Sequence, residues 1–332
     1  MASIFPDKVK PTYGAIVYQD ATHTYAVDRE GEVLSSGLKS ALTDDVQIQA
    51  AITYLPATGG LILVASGVYK LTTGLIVAYG KDGVYLKGVG SGSWEGEGAT
   101  VFEQHGNIDM LTASGTDVSH YIRGLTLEDI LFRNSGTTYT GKGVNLEHVV
   151  STTIRRCGFV DLKSSAIAAH TCYTIMVENN RFRNGGLTSS STPCIYSYAG
   201  AGEVSTSWNI HHNVFESPNY IGVYFDKTIE SRVCDNYFEA LGTPIEPTAG
   251  YIVIGSDETT RNIVSGNTFG GCNSAAPFIT INSRNTCTNN HIEGWSGATG
   301  THGVLVTGYY SSVTGNVIST TGSSGVTASE VG

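Results

Sequence analysis

Four side chains able to move protons, Glu147, His170, Tyr198 and Asp226, close four copies of one short phrase. The copies read Gly143–Glu147, Ala166–His170, Cys194–Tyr198 and Gly222–Asp226. Each alternates apolar with other residues over five positions, which marks a half-buried strand. Alternation sends Val144/Leu146, Ile167/Ala169, Ile195/Ser197 and Val223/Phe225 inward. It sends Asn145/Glu147, Ala168/His170, Tyr196/Tyr198 and Tyr224/Asp226 outward. Stacked as successive rungs, the copies would line up Glu147, His170, Tyr198 and Asp226, with Tyr196 and Tyr224 beside them.

Rung spacing then decides the chemistry. Glu147 and Asp226 would stand three rungs apart, roughly 14 Å. A glycosidase pair needs about 5–9.5 Å between carboxyl groups, so this pair alone makes a poor hydrolase. His170 and Tyr198 would be adjacent, about 5 Å apart. A His base and a Tyr acid suit β-elimination from a uronic acid, where a proton α to a carboxylate must leave. The expected catalytic set is His170, Tyr198, Asp226 and Glu147. The expected substrate-binding set is Tyr196, Tyr224, Asn145, Lys227 and Trp94, the last in the Gly-rich loop Gly90–Gly98. A uronate also needs a cation, and Lys227, Arg232, Arg155 and Arg156 are near in sequence. The same residues could equally form an ordinary solvated β-face.

Further copies of the phrase, Tyr251–Gly255, Phe278–Asn282, Gly303–Thr307 and Gly325–Ser329, carry blander outward residues. Between copies runs a second phrase: an aliphatic residue or Cys, then Asn three positions on, then Phe or Ile two further. Its Asn residues are Asn180, Asn213, Asn236, Asn267, Asn290 and Asn316, with Cys157 in the same slot of an earlier copy. The intervals from Cys157 onward are 23, 33, 23, 31, 23 and 26 residues. A fixed phrase at such a period signals a solenoid. The Asn residues should stack one per coil as a structural ladder, each amide bonding the next. Asn also tolerates the left-handed backbone of a sharp corner.

Composition agrees. The 332 residues include 41 Gly and are 40% apolar, but only 14% are charged. That suits a turn-rich all-β chain and not a disordered one. Net charge is −10 without a basic run, so nucleic acid is not an expected partner. No stretch approaches the ~20 apolar residues of a membrane span. Met1–Lys10 lacks the apolar core of a secretory leader. Six cysteines, without a Cys-x-x-Cys pair, are expected to be mostly reduced core residues. Asp226/Glu230/Asp235 and Asp257–Glu258 offer oxygen ligands for Ca²⁺, but lack an Asp-x-Asp-x-Asp-Gly spacing. His211–His212 is a further minor metal candidate. No metal or other cofactor is expected.

At the N-terminal end, Gly14–Tyr18, His23–Val27 and Glu32–Leu34 read as a small meander within residues 1–40. Residues 41–60 hold one helix. Asp44 and Gln47 form a capping-box pattern, and Ile48, Ala51, Ile52 and Leu55 form one stripe. Such a helix can cap the open end of a solenoid running over residues 61–332. Short strands follow, Tyr121–Leu127 among them.

The run from Asp44 through Ile52, then Gly59-Gly60-Leu61-Ile62-Leu63-Val64, then Gly67-Val68-Tyr69, resembles the opening of the pectate-lyase-like right-handed parallel β-helix superfamily. Val84–Gly90 is similar to that superfamily's next rung. Tailspikes and polysaccharide depolymerases open in this way. The resemblance implies an all-β, single-chain right-handed parallel β-helix with an N-terminal capping helix and meander. It carries no one activity, because the fold hosts lyases, hydrolases, epimerases and inert fibres. The polygalacturonase set of Asn-x-Asp, Asp-Asp and Gly-His-Gly is absent; Thr301-His302-Gly303 is a partial echo. Two readings follow. One is an extracellular carbohydrate-active protein that binds a polysaccharide, with cleavage left open and a lyase route favoured over hydrolysis. The other is a non-catalytic virion or cell-surface fibre or receptor-binding protein, expected as a homotrimer.

Overall fold

The computed structural model describes residues 14–92, 96–136, 138–185, 192–218, 221–239, 250–256, 258–272, 276–294, 303–320 and 326–328. The chain divides into two compact units, Met1–Val160 and Asp161–Gly332. Each is a stack of β-coils in which three parallel sheets enclose an apolar core.

In the first unit, Ala15–Gln19, His23–Asp28 and Val33–Leu38 form an antiparallel meander. Ala15–Gln19 also pairs in parallel with Gly60–Val64, so the meander continues the first sheet. Val84–Lys87, Thr126–Glu128 and Val149–Arg155 follow in that sheet. The second sheet stacks Gly67–Leu71, Thr100–Gln104, Leu131–Asn134 and Gly158–Val160. The third stacks Leu75–Ala78, Leu111–Ser114 and Val144–Glu147. Tyr121–Leu127 reads as one strand in sequence but is two, Ile122–Arg123 and Thr126–Glu128. Gly124 divides them with φ 75°, a corner conformation that a Cβ disfavours.

The helix spans Asp44–Tyr54 and buries Ile48, Ala51 and Ile52. Its capping differs from the sequence reading. Thr43 is the N-cap, without a side-chain bond, and Gln47 Nε2 donates to Ser35 Oγ at 3.4 Å. Asp44, and Asp45 through Oδ2, reach away from the helix instead, while Asp45 Oδ1 accepts from Val46 N at 3.0 Å. Asp44 accepts from Lys70 N at 2.8 Å and from Thr24 Oγ1. Asp45 accepts from Thr72 N at 3.0 Å and from Thr73 N. Two buried carboxylates thus pin the helix to the first coil. The N–H groups of Lys70, Thr72 and Thr73 are satisfied there by side chains.

In the second unit the first sheet comprises Tyr173–Glu178, Asn209–His211, Arg232–Cys234, Ile263–Ser265, Thr286–Thr288 and Ser312–Thr314. The second runs Arg181–Arg183, Val214–Glu216, Tyr237–Glu239, Thr268–Cys272, His291–Gly294 and Val317–Thr320. The third runs Ile167–His170, Ile195–Tyr198, Val223–Phe225, Ile252–Ile254, Ile279–Ile281, Val304–Val306 and Val326–Ala328. One copy of the Asn phrase therefore crosses two sheets. Its aliphatic residue sits within a first-sheet strand, its Asn lines the corner, and its Phe or Ile sits within a second-sheet strand. Phe182, Phe215, Phe238 and Phe269 stack with centroids 4.7, 4.6 and 4.8 Å apart. Each such buried ring contributes about 1.5–3 kcal/mol.

Each ladder Asn lends its Oδ1 to the Asn of the preceding coil. Asn180 Nδ2 donates to Asn213 Oδ1 at 3.0 Å, and Asn213 Nδ2 to Asn236 Oδ1 at 3.0 Å. The chain continues through Asn267 and Asn290 to Asn316. The same oxygens accept the backbone N–H of the preceding Asn. The left-handed corner falls one residue earlier than the sequence argument put it. Asn179, His212, Asp235, Gly266, Asn289 and Gly315 have positive φ, not the ladder residues. The buried Asn must point inward, so the exposed neighbour takes the strained backbone. A second ladder, not evident in the sequence, occupies the preceding corner. There Trp208 N donates to Ser231 Oγ, Ser231 N to Asn262 Oδ1, Asn262 N to Asn285 Oδ1 and Asn285 N to Ser311 Oγ.

Candidate functional site

The third sheet of the second unit sets the geometry. Ile195 and Ser197, and likewise Val223 and Phe225, are fully buried, so the residues between them face outward. Register places Tyr196 beside Tyr224, and His170 beside Tyr198. The His170 and Tyr198 rings lie 4.9 Å apart, tilted by 34°. Tyr196 stacks on Tyr198 at 4.6 Å and on Tyr224 at 5.3 Å. Tyr224 also crosses Gly255: a Cβ there would meet Tyr224 Cε2 at 2.5 Å. One continuous half-buried array results, His170–Tyr198–Tyr196–Tyr224. Stacking turns ring faces toward one another, so edges and hydroxyls are what the array offers a ligand. Burial, and then the Asp226 charge, push the Tyr196 hydroxyl up to about 12, which keeps it a hydrogen-bond donor at neutral pH.

A loop walls one side. Glu203 N donates to Gly200 O at 3.2 Å, closing a tight turn, and Gly202 takes the left-handed position. Thr171, fully buried, donates to Glu203 Oε2 at 2.6 Å. A Cβ on Gly200 would lie 3.0 Å from Glu203 Oε2 and 3.6 Å from His170 Nε2, so both groups border that glycine. Lys227 Nζ donates to Gly200 O at 3.3 Å and pairs with Glu258 at 3.2 Å. Asp226 is fixed by its own N–H, which donates to Ser197 O at 2.8 Å. The sequence reading missed Glu203. It stands in an insertion between strands, where no periodicity marks a facing direction.

Glu147 and Asn145 belong to the first unit, where Glu147 accepts from Ser114 Oγ at 3.3 Å and Asn145 from Lys142 Nζ at 3.0 Å. Trp94, Asp257 and His302 lie outside the described residues. Arg155 and Arg156, considered above as cations for a uronate, are bound to Glu128 in the first unit. Arg232 is exposed. His211 and His212 face each other, with Nδ1 atoms 2.7 Å apart. Among the described residues, no three His, Cys, Asp or Glu side chains are placed to share one ion. Cys157, Cys172, Cys194 and Cys287 are buried, and Cys234 is half-buried. No described helix is long and apolar enough to cross a membrane.

Known folds share this architecture. The chain is similar to ORF18 of Geobacillus virus E2, with TM-score 0.63 and 17% identity over 85% of this chain. It spans 56% of that viral protein's length. It is similar to an alginate lyase from Paenibacillus sp. str. FPU-7, with TM-score 0.61 and 14% identity over 86% of this chain and 96% of the lyase. It is also similar to DFA-IIIase from Arthrobacter chlorophenolicus A6 without its lid, with TM-score 0.53 and 16% identity over 82% and 81% of the two chains. No family model matches the sequence, and no curated protein does. The fold is thus a right-handed parallel β-helix, an all-β solenoid with one α-helix among the described residues, near the N-terminus. Identities this low define architecture and leave the activity to the site itself.

Proposed function

We propose that this protein recognises a polysaccharide on the third-sheet face of its second unit. The observation that carries the reading is the array His170–Tyr198–Tyr196–Tyr224, half-buried, outward-facing and walled by the Glu203 turn. Rings with hydroxyl edges offer a sugar chain both apolar contact and hydrogen bonds. That one structural neighbour is an alginate lyase and another DFA-IIIase accords with a carbohydrate ligand.

The charge set chooses the kind of chain. Glu203, Asp226 and Glu258 supply three carboxylates around this face. Lys227 supplies one ammonium, already paired with Glu258. A free uronate would be repelled there, so the ligand at this face is neutral or esterified. His170 as base and Tyr198 as acid still fit β-elimination, and an esterified uronate meets both demands. Its α-proton is acidic, and it brings no charge to be neutralised.

A polysaccharide panel that includes esterified and free uronates, read by ultraviolet absorbance of unsaturated ends and by reducing ends, tests the cleavage. Activity should vanish in His170→Ala and Tyr198→Phe; retained activity would remove these residues from the mechanism. The viral neighbour supports a second reading, a virion fibre that binds the same glycan without cutting it. Binding without product would select it.

A further inference from the structure

The first unit holds a polar constellation of its own. Lys87, Glu128 and Arg155 occupy one outward column on three successive first-sheet rungs. Glu128 is 1% exposed, although it lies on an outward face. Its carboxylate is covered by cations. Lys87 Nζ stands 2.7 Å from Oε1, Arg155 Nε donates to Oε2 at 2.6 Å, and Arg156 and Tyr85 donate as well. Arg156 also grips Asp129 with two bonds, at 2.9 and 3.1 Å. Burial alone would raise the Glu128 pKa, but Lys87, Tyr85 and Arg155 overcome it and hold the group at about 2. The carboxylate is therefore a permanent anchor.

The balance of the cluster is uneven. Three cations face two carboxylates, leaving one positive charge in a chain of net charge −10. Donors exceed acceptors too. Two guanidinium groups, one ammonium and one phenol carry about fourteen N–H and O–H groups, against about eight carboxylate acceptor positions. The surplus donors are on side chains that are 35%, 36% and 48% exposed for Lys87, Arg155 and Arg156. The anchor fixes those side chains from below, so a ligand need not immobilise them. Planar guanidinium edges held in this way match an oxyanion.

We propose that the Lys87–Arg155–Arg156 face is an anion subsite that takes a carboxylate, sulfate or phosphate group carried on a glycan. Its ligand chemistry is opposite in sign to that of the tyrosine face, and it does not depend on that face being a binding site.

Calorimetric titration at low ionic strength tests this with three probes: an acidic oligosaccharide, a neutral oligosaccharide of equal length, and inorganic sulfate. The acidic oligosaccharide should bind, weaken with added salt, and lose about tenfold or more in affinity in Arg156→Gln. Lys87→Gln should weaken it similarly, and thermal melting establishes that each variant is folded. Neutral-chain binding should be the same in wild type and Arg156→Gln, so failure here and failure of the tyrosine-face reading are separable. Sulfate binding as tightly as the acidic oligosaccharide would mean an adventitious ion only and would overturn the proposal. So would equal affinity of wild type and both variants for the acidic probe.

Discussion

Replacing Asn236 by Ala tests whether the ladder holds the coils together. The Asn236 side chain accepts from Asn213 N and Asn213 Nδ2, both at 3.0 Å. It donates to Ile210 O at 2.9 Å and to Asn267 Oδ1 at 3.0 Å. After truncation, Asn213 Nδ2 still has Val177 O at 2.8 Å, and Asn267 Oδ1 still has the residue 236 backbone N–H at 3.1 Å. The Asn213 N–H loses the acceptor it uses, at a site where Asn213 is 1% exposed. Leaving such a donor unpaired costs about 1–3 kcal/mol, and the other lost bonds add about 1 kcal/mol. The expected loss is about 2–4 kcal/mol. Native-state hydrogen exchange at the Asn213 amide reads it locally, without assuming that the solenoid unfolds in one step. Exchange should accelerate about 30-fold to about 900-fold. Asn316→Ala is the internal comparison. It removes two bonds accepted from Asn290, both 2.9 Å, but Asn316 is half-buried and water can replace it. Its effect should stay below about 1.5 kcal/mol. Less than about a threefold change at Asn213, or equal effects at the two positions, would refute the argument.

Two further outcomes follow from groups whose surroundings shift their titration. Glu128 has its folded-state pKa lowered, to about 2, so its stabilising contribution is present above the unfolded carboxylate value near 4.3 and is lost as pH falls toward 2. Glu128→Gln should therefore flatten the acid limb of a stability-against-pH curve between about pH 4 and 2; an unchanged limb would show that the cluster is not coupled to folding. Burial pushes the Cys157 and Cys287 thiols up to about 12, whereas Cys234 is only half-buried. Among Cys157, Cys172, Cys194, Cys234 and Cys287, Cys234 should react first with a thiol reagent in the native protein, and Cys234→Ser should remove that phase. Fast labelling of Cys157 or Cys287 would contradict the packing.

The solenoid was legible because its constraints are periodic. Val177–Asn180–Phe182 and its copies repeat since every coil meets the same neighbours above and below. The strands of the third sheet were legible through alternation, which correctly turned Ser197 inward and Tyr196 outward. What alternation cannot register is a corner. The Asn phrase signals a corner at the Asn itself, yet the left-handed residue just before each Asn is what divides the phrase between two sheets. The Trp208–Ser231–Asn262–Asn285–Ser311 ladder stayed hidden because both Ser and Asn supply its acceptors, each to the backbone N–H of the preceding coil, and Trp208 contributes only an N–H. Asp44 reads as a cap, since helix starts favour acids; its tertiary partner Lys70, and the Thr72 and Thr73 partners of Asp45, are more than twenty residues away in sequence. Glu203 and the partners of Arg155 and Arg156 depend on loop conformation and on which rung each side chain leans toward. Neither is encoded in a local pattern.

The central claim is that the tyrosine array of the second unit is a glycan-binding face. Affinity electrophoresis of the full chain through gels containing neutral, esterified-uronate and free-uronate polysaccharides tests it most directly, with wild type beside the Tyr196→Ala/Tyr224→Ala double variant. The account predicts retardation of wild type by a neutral or esterified chain, and its loss in the folded double variant. Equal migration of the two proteins in every gel would contradict it.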